Sequence, residues 1–395
     1  MKRFIFFATY TLYFTCNLGV SAQDNPSKPD KYINLSTKIE KASDSLLERT
    51  YEELESLFKK NINDSVLSNI YVNTYLKKAK NENDSLQMAN GYLFASRINS
   101  NYVEIEYLDS LINVSKNLNS TNYPGLGYLI KGVCYYDLEN YKKAIENYLI
   151  AQEYADTNNN IEHQIAIKHN VGLLKNAIDA HKEALIIFKE NLEFIKTQDT
   201  INEYPHSHIT TLFAIADSYH RMNLGDSATY YVNKGLDKSY NNKNKYKYTD
   251  FLLLSGINNF MLKKYQKSLD TLLKASKRIQ DFESYNPNKA YCFIQIGRAL
   301  QKLGKKEEGF SYLKKADSII TPNNYTDEKR VAYELLIDHY KDIGDIDNQL
   351  KMMSKLIIFD SIYYAKNKNI KSDIITKYDT ALLIDERNDI INQLR

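Results

Sequence analysis

From Ser85 onward, small and bulky apolar residues recur along the chain with the spacing of helix faces. Between Tyr123 and Asp156, Gly132, Ala144 and Ala151 alternate with Tyr128, Tyr135 and Tyr148. With Gly125 as position 1, the small residues occupy positions 8, 20 and 27 and the bulky ones 4, 11 and 24. Steps of 3, 4 and 7 put the positions within each helix on one face. The spacing predicts two antiparallel helices joined by a polar turn at Asp137-Leu138-Glu139-Asn140. Small residues allow the helix axes to approach, and large ones fill the space beside them.

The unit repeats. Position 8 is held by Tyr92, Gly132, Gly172, Ala216, Gly256, Gly297 and Ile337, at intervals of 40, 40, 44, 40, 41 and 40. Positions 20 and 27 read Ala144/Ala151, Ala184/Asn191, Ala228/Gly235, Ser268/Ala275 and Gly309/Ala316; position 24 reads Tyr148, Phe188, Val232, Leu272 and Leu313. This pattern resembles the tetratricopeptide repeat (TPR), a helix-turn-helix unit with small and large positions in this order. Lys131 departs from it at position 7, where Leu is usual. The period exceeds the usual ~34 residues. The surplus is expected after the second helix, as at Asp156 to Asn160 and Tyr240 to Asn244. Long-period repeats of this kind resemble those of kinesin light chain and of bacterial Rap-type peptide sensors. The resemblance implies an all-α TPR α-solenoid, a right-handed superhelix of antiparallel helix pairs, and says little about the ligand.

The expected organisation is a signal peptide over 1–22, a disordered lead over 23–38 and a degenerate opening helical pair over 39–84. The TPR array follows over 85–359, then a linker helix over 360–395. The opening pair reads as helices over Ile39–Lys60 and Ser65–Lys80, with Leu46, Leu47, Leu54, Leu57 and Phe58 facing inward. Lys2 and Arg3, the apolar run Phe4 to Leu18, and Val20-Ser21-Ala22 before Gln23 have the form of a secretory signal. Tyr13-Phe14-Thr15 is a poor match to what precedes a lipidated Cys16. No run of about 18 apolar residues follows, so no membrane span is expected after the signal. These features predict an exported protein of a Gram-negative periplasm.

Composition refines this picture. Gly (13) and Pro (6) are scarce and Tyr is abundant (33), which suits helix seams with buried rings. The net charge is +3 with no long basic run, so no nucleic-acid partner is expected. Cys134 and Cys292 read as packing residues. There is no glycine-rich phosphate loop, no Gly-x-Ser-x-Gly elbow and no His-Glu-x-x-His. His206-Ser207-His208 follows Pro205 at a helix start and has no third ligand, so neither an enzyme nor a cofactor or metal is expected.

The candidate chemistry lies on the first helices, at positions 2, 5, 6, 9, 12 and 13, which face away from the packing set. Read along the array these positions hold Asn90, Arg97, Tyr136, Asp137, His169, Asn170, Asn176, Asp217, His220, Arg221, Gln295, Arg298 and Gln301. Asn90 and Asn170 share position 6, where TPRs that hold extended peptides place an Asn against the ligand backbone; an amide can donate and accept together. Arg97, Arg221 and Arg298 suit carboxylates. These residues are the expected contacts for a peptide or protein partner, and a merely solvated polar face is the competing reading. Ile257, Phe260 and Met261 are either core or a ligand-contacting patch.

Two further patterns stand out. Asp-Ser/Thr triplets at Asp44, Asp64, Asp84, Asp109 and Asp226 resemble the O-glycosylation signal of exported Bacteroidota proteins. Asp64, Asp84 and Asp226 are also candidate helix N-caps. Ile374, Tyr378, Leu382, Leu383, Ile390, Ile391 and Leu394 mark an amphipathic helix over Ile370 to Arg395. It resembles the linker behind the periplasmic TPR sensor of Bacteroidota helix-turn-helix or histidine-kinase regulators. The chain is thus either the sensor half of such a regulator or a soluble periplasmic accessory or nutrient-capture protein.

Overall fold

The computed structural model describes residues 46–99, 101–198, 203–280, 286–319 and 327–367. The signal peptide, the lead, Asp44 and the segment Ile370 to Arg395 lie outside the described residues. The described residues form α-helices and no strands. In chain order they are α1 (Tyr51–Lys60), α2 (Ser65–Asn81), α3 (Ser85–Ile98), α4 (Asn101–Ser115), α5 (Gly125–Asp137), α6 (Tyr141–Thr157), α7 (Ile161–Ala177) and α8 (His181–Gln198). There follow α9 (Pro205–Arg221), α10 (Gly225–Asn241), α11 (Lys245–Met261), α12 (Tyr265–Gln280), α13 (Asn286–Lys302), α14 (Lys306–Ile319), α15 (Asp327–Asp342) and α16 (Ile346–Asn367). They fall into two compact units, up to Val171 and from Gly172 on, with the boundary inside α7.

Three of the expected boundaries move. Among the described residues, the helix that ends at Lys60 starts at Tyr51, because Thr50 and Glu53 form a capping box: the Thr50 hydroxyl accepts from the Glu53 amide and the Glu53 carboxylate from the Thr50 amide. Leu46 and Leu47 precede it in a turn. Asp64 and Asp84 do cap α2 and α3, but Asp226 does not cap α10, whose N-cap position is Leu224 and whose first turn already contains Asp226. At the two places named, Asp156 to Asn160 and Tyr240 to Asn244, the surplus residues do not sit behind the second helix. Asp156, Thr157, Tyr240 and Asn241 are helical; in α10–α11 the period is two 17-residue helices separated by turns of three residues. The helices themselves are longer.

Five of the three-residue turns share one device. The second turn residue caps the outgoing helix and the third bonds back to it while capping the next. In the α5–α6 turn, Glu139 adopts a positive φ of 58°; the Glu139 amide donates to the Tyr136 carbonyl at 2.9 Å and the Asn140 amide to Tyr135 at 2.8 Å. The Asn140 side chain then accepts from the Lys143 amide of α6. Asp84, Asn160, Asn244 and Asp345 repeat both halves of this arrangement. Glycine takes the left-handed position at Gly304 and Gly344; elsewhere Asn83, Asn159, Asp179, Asn223, Lys243 and Lys263 accept it.

In the amino-terminal unit, Leu54, Phe58, Val72, Tyr75, Leu76, Phe94 and Ala95 form a buried cluster between α1, α2 and α3. Phe94 stands against Phe58 and edge-on to Tyr75, with centroids 5.0 and 5.2 Å apart. Further on, Gly132 of α5 lies under the Tyr148 ring of α6, and a Cβ there would overlap it. Lys131, the departure from the repeat pattern, is accommodated by an ion pair with Asp109 of α4.

The carboxy-terminal unit repeats that seam. Gly172 meets Phe188, Gly256 meets Leu272 at 2.6 Å from a built Cβ, and Gly297 meets Leu313 at 2.8 Å. Position 8 thus receives position 24 of the same repeat. The Ser268 hydroxyl at position 20 donates to the Gly256 carbonyl at 2.7 Å. Position 27 serves the next repeat, where Gly235 makes room for the buried Phe251 ring.

Candidate functional site

The polar positions of the first helices form a row in the carboxy-terminal unit. It runs along α7, α9, α11 and α13, and neighbouring helices are linked side chain to side chain. The Asn176 amide nitrogen donates to the Ser218 hydroxyl at 2.9 Å, and its oxygen faces His181 Nδ1 at 3.1 Å. One repeat on, His220 Nδ1 lies 3.4 Å from the Asn258 amide oxygen. The Asn258 amide nitrogen donates to the Gly225 carbonyl and the Thr229 hydroxyl, both at 2.8 Å. The link is made by position 12 of one repeat and position 10 of the next, on both occasions.

Cations stand along this row. Arg221 Nε is 2.7 Å from the Asp217 carboxylate, one helical turn below it on α9. On α13, the Arg298 guanidinium lies 4.7 Å from the Phe260 ring centre of α11 and donates to the Gln295 amide oxygen at 3.0 Å. Of the apolar trio, Ile257 is 6% exposed and belongs to the core with Leu253, Leu269 and Leu272, while Phe260 packs against that core and carries Arg298.

The expected contact residues are therefore not alike. Asn176 and His169 are buried; Arg97 and Arg221 are exposed; Asn90, Tyr136, Asn170, Asp217, His220 and Arg298 are half-buried. Asn176 has both ends of its amide engaged and joins helices. Gln295 is buried at 1% and acts through Arg298. In the amino-terminal unit, Asn90 accepts from the Tyr123 hydroxyl at 2.8 Å and donates to Gln87, which also accepts from Tyr75. Tyr136 leans on Tyr141 across the turn, with ring centres 5.6 Å apart.

Tyr123, Gln87, Ser218 and Asn258 were not singled out by the sequence reading. Ser218 and Asn258 share position 10, two residues beyond the small residue at position 8. A search for polar residues at a normally apolar position would have found them.

The remaining chemistry is that of packing. Burial pushes the Cys134 thiol up, helped by Glu104, and pushes Cys292 up to about 12, so both are poor thiolates. Pro205 stands in the first turn of α9, and His206 Nδ1 faces the Asn244 amide at 3.2 Å. Among the described residues, no group of three or more His, Cys, Asp or Glu could hold a metal ion, and no helix is long and apolar enough to cross a membrane. Ser110 of the Asp109 triplet lies inside α4, where its hydroxyl donates to the Glu106 carbonyl.

Packed antiparallel helix pairs at a period near 40, with the small-to-large seam, define an all-α array of the α-solenoid class. Two solved structures match it over most of the chain. One is a STAND signal-transduction ATPase with a tetratricopeptide repeat sensor, from Pyrococcus horikoshii: TM-score 0.56, 15% identity, over 87% of this chain and 55% of that one. The other is a Rap protein complexed with competence and sporulation factor: TM-score 0.54, 12% identity, over 91% of this chain and 98% of that one. At such identities the likeness is one of fold, and the fold is that of the tetratricopeptide-repeat proteins. No protein-family model matches the sequence. No curated protein matches it either.

Proposed function

We propose that the chain is an exported TPR module that holds a peptide, or a segment of a partner protein, along the polar row of its first helices. Its work is to bind and to sense or scaffold, not to catalyse. The observation that carries this reading is the pair of pre-positioned guanidinium groups, Arg221 held by Asp217 and Arg298 held by Phe260 and Gln295. A cation already fixed in place loses less freedom when a carboxylate arrives. The Rap protein of similar fold was solved with competence and sporulation factor, which supports a peptide as the occupant. The other similar structure carries a repeat sensor, which supports a sensing role.

The test is binding of a segment selected on a peptide array. Replacing Arg221 and Arg298 together by Ala is expected to weaken it by about 1–3 kcal/mol in total. Unchanged affinity in that double variant removes the row from consideration. Export rests on the basic start, apolar run and small residues before Gln23. Amino-terminal sequencing from the native host is expected to begin at Gln23; a start at Met1 would refute it. The sensor-half reading rests on the apolar spacing from Ile374 to Leu394, and an apolar run of about 20 codons beyond codon 395 would support it.

A further inference from the structure

A cleft lies in the carboxy-terminal unit, between the second helices α8 and α10 and the amino-terminal half of the first helix α9. It has a volume of about 520 Å³ and is lined by α8, α9 and α10. That is within the range of roughly 300–1,000 Å³ usual for ligand sites. Each helix contributes one face. Lys189, Leu192, Glu193 and Lys196 recur on α8 at steps of 3, 1 and 3; His208 and Leu212 are one turn apart on α9; Tyr231, Lys234 and Lys238 follow on α10.

The chemistry of the cleft is sorted. Leu192 and Leu212 are buried at 5% and 3% and, with Tyr231, make an apolar floor. Four lysines stand around it against one carboxylate, Glu193, which pairs with Lys196 at 2.6 Å. The lining thus carries a net charge of +3 with His208 neutral, four lysines less one glutamate. The other acids of the same helices, Glu183 and Glu190 on α8, Asp217 on α9 and Asp226 and Asp237 on α10, are not among the lining residues. Tyr219 and Tyr231 stack with centres 5.5 Å apart, and Lys189 lies over the Tyr219 ring at 5.2 Å and Lys234 over Tyr230 at 4.4 Å. The aromatic faces hold the lysine stems at the rim.

The spacing of the cations says what would fit. Lys189 and Lys196 are seven residues apart, a rise of about 10.5 Å along α8. Lys234 and Lys238 are separated by about 6 Å along α10. One phosphate is too compact to reach across the longer interval. An extended peptide advances roughly 3.3–3.4 Å per residue, so carboxylates three residues apart match the first interval and two apart the second. We infer that this cleft binds an extended acidic peptide segment, with one apolar side chain on Leu192, Leu212 and Tyr231 and its carboxylates among the four lysines. The site is independent of the row on the first helices.

The test uses the full chain and a fluorescein-labelled, end-blocked hexapeptide Glu-Ala-Phe-Glu-Ala-Glu, read by anisotropy at low salt. The parent protein is expected to bind it at least about tenfold more tightly than the same peptide with Gln for every Glu, and to lose that preference as salt rises. Lys189→Glu with Lys234→Glu, both on exposed side chains, should weaken binding at least about tenfold at an unchanged melting temperature. Lys182→Glu with Lys267→Glu, exposed and outside the cleft, and Arg221→Ala with Arg298→Ala should leave it unaltered. Equal binding of the Gln peptide overturns the inference. So does equal weakening by the Lys182/Lys267 pair, which would mark a general charge effect. Displacement by millimolar inorganic phosphate would mean a compact oxyanion site and would overturn the extended segment.

Discussion

The seam between α11 and α12 and the polar row from α9 to α13 use the same two-sided helices in opposite ways. In the seam, Gly256 receives Leu272 at a spacing where one added carbon collides, and both residues are fully or nearly out of water. In the row, adjacent repeats touch through an amide and an imidazole, His220 to Asn258, and through a guanidinium on a ring, Arg298 on Phe260. The seam specifies geometry by exclusion of volume. The row specifies it by directional bonds and leaves some of the participating groups, Arg221 among them, open to solvent. Rigidity within a helix pair and polarity between pairs are thus divided between the two faces.

The sharpest way to break this division is at the seam. Gly172→Leu places a side chain where the Phe188 ring already lies, and is expected to destabilise the fold by about 1–3 kcal/mol. Thermal or urea unfolding reads it, and a parent-like midpoint would show that the repeat register is wrong. A smaller loss is expected in the row. Asn258→Ala removes the donor to Gly225 and Thr229 at a site 2% exposed, for about 1–2 kcal/mol, with native secondary structure retained by circular dichroism. A loss as large as at Gly172 would erase the distinction between seam and row. The mildest change is a gain: Lys263 holds a φ of 58°, so Lys263→Gly should raise stability by up to about 1 kcal/mol in urea titration. Destabilisation there would mean that the Lys263 side chain makes a contact worth more than the relief of backbone strain.

The seam was legible in the sequence because volume leaves a periodic trace. Gly132, Gly172, Gly256 and Gly297 fall at one position, and their partners Tyr148, Phe188, Leu272 and Leu313 at another, as they do in the structure. The row was legible only as a set of positions. Spacing placed Asn176 beside Arg221 and Arg298 as equivalent ligand contacts, yet Asn176 is 6% exposed and bonded at both ends. Spacing says which side of a helix a residue occupies; the neighbouring helix decides how much of that side stays open. The turns misled for a different reason. Asn and Asp around Asn158 to Asn160 read as a loop insertion, but such residues also serve as left-handed caps and N-caps, and three of them suffice to close one 17-residue helix and open the next.

That economy affects how the array comes apart. When Asn244 both bonds back to Ser239 and caps the amide of Lys247, α10 and α11 cannot melt one at a time without each losing a terminus. Nearest-neighbour coupling of this kind makes unfolding spread in blocks rather than helix by helix. Native-state hydrogen exchange should therefore find α10 and α11 opening as a single cooperative segment.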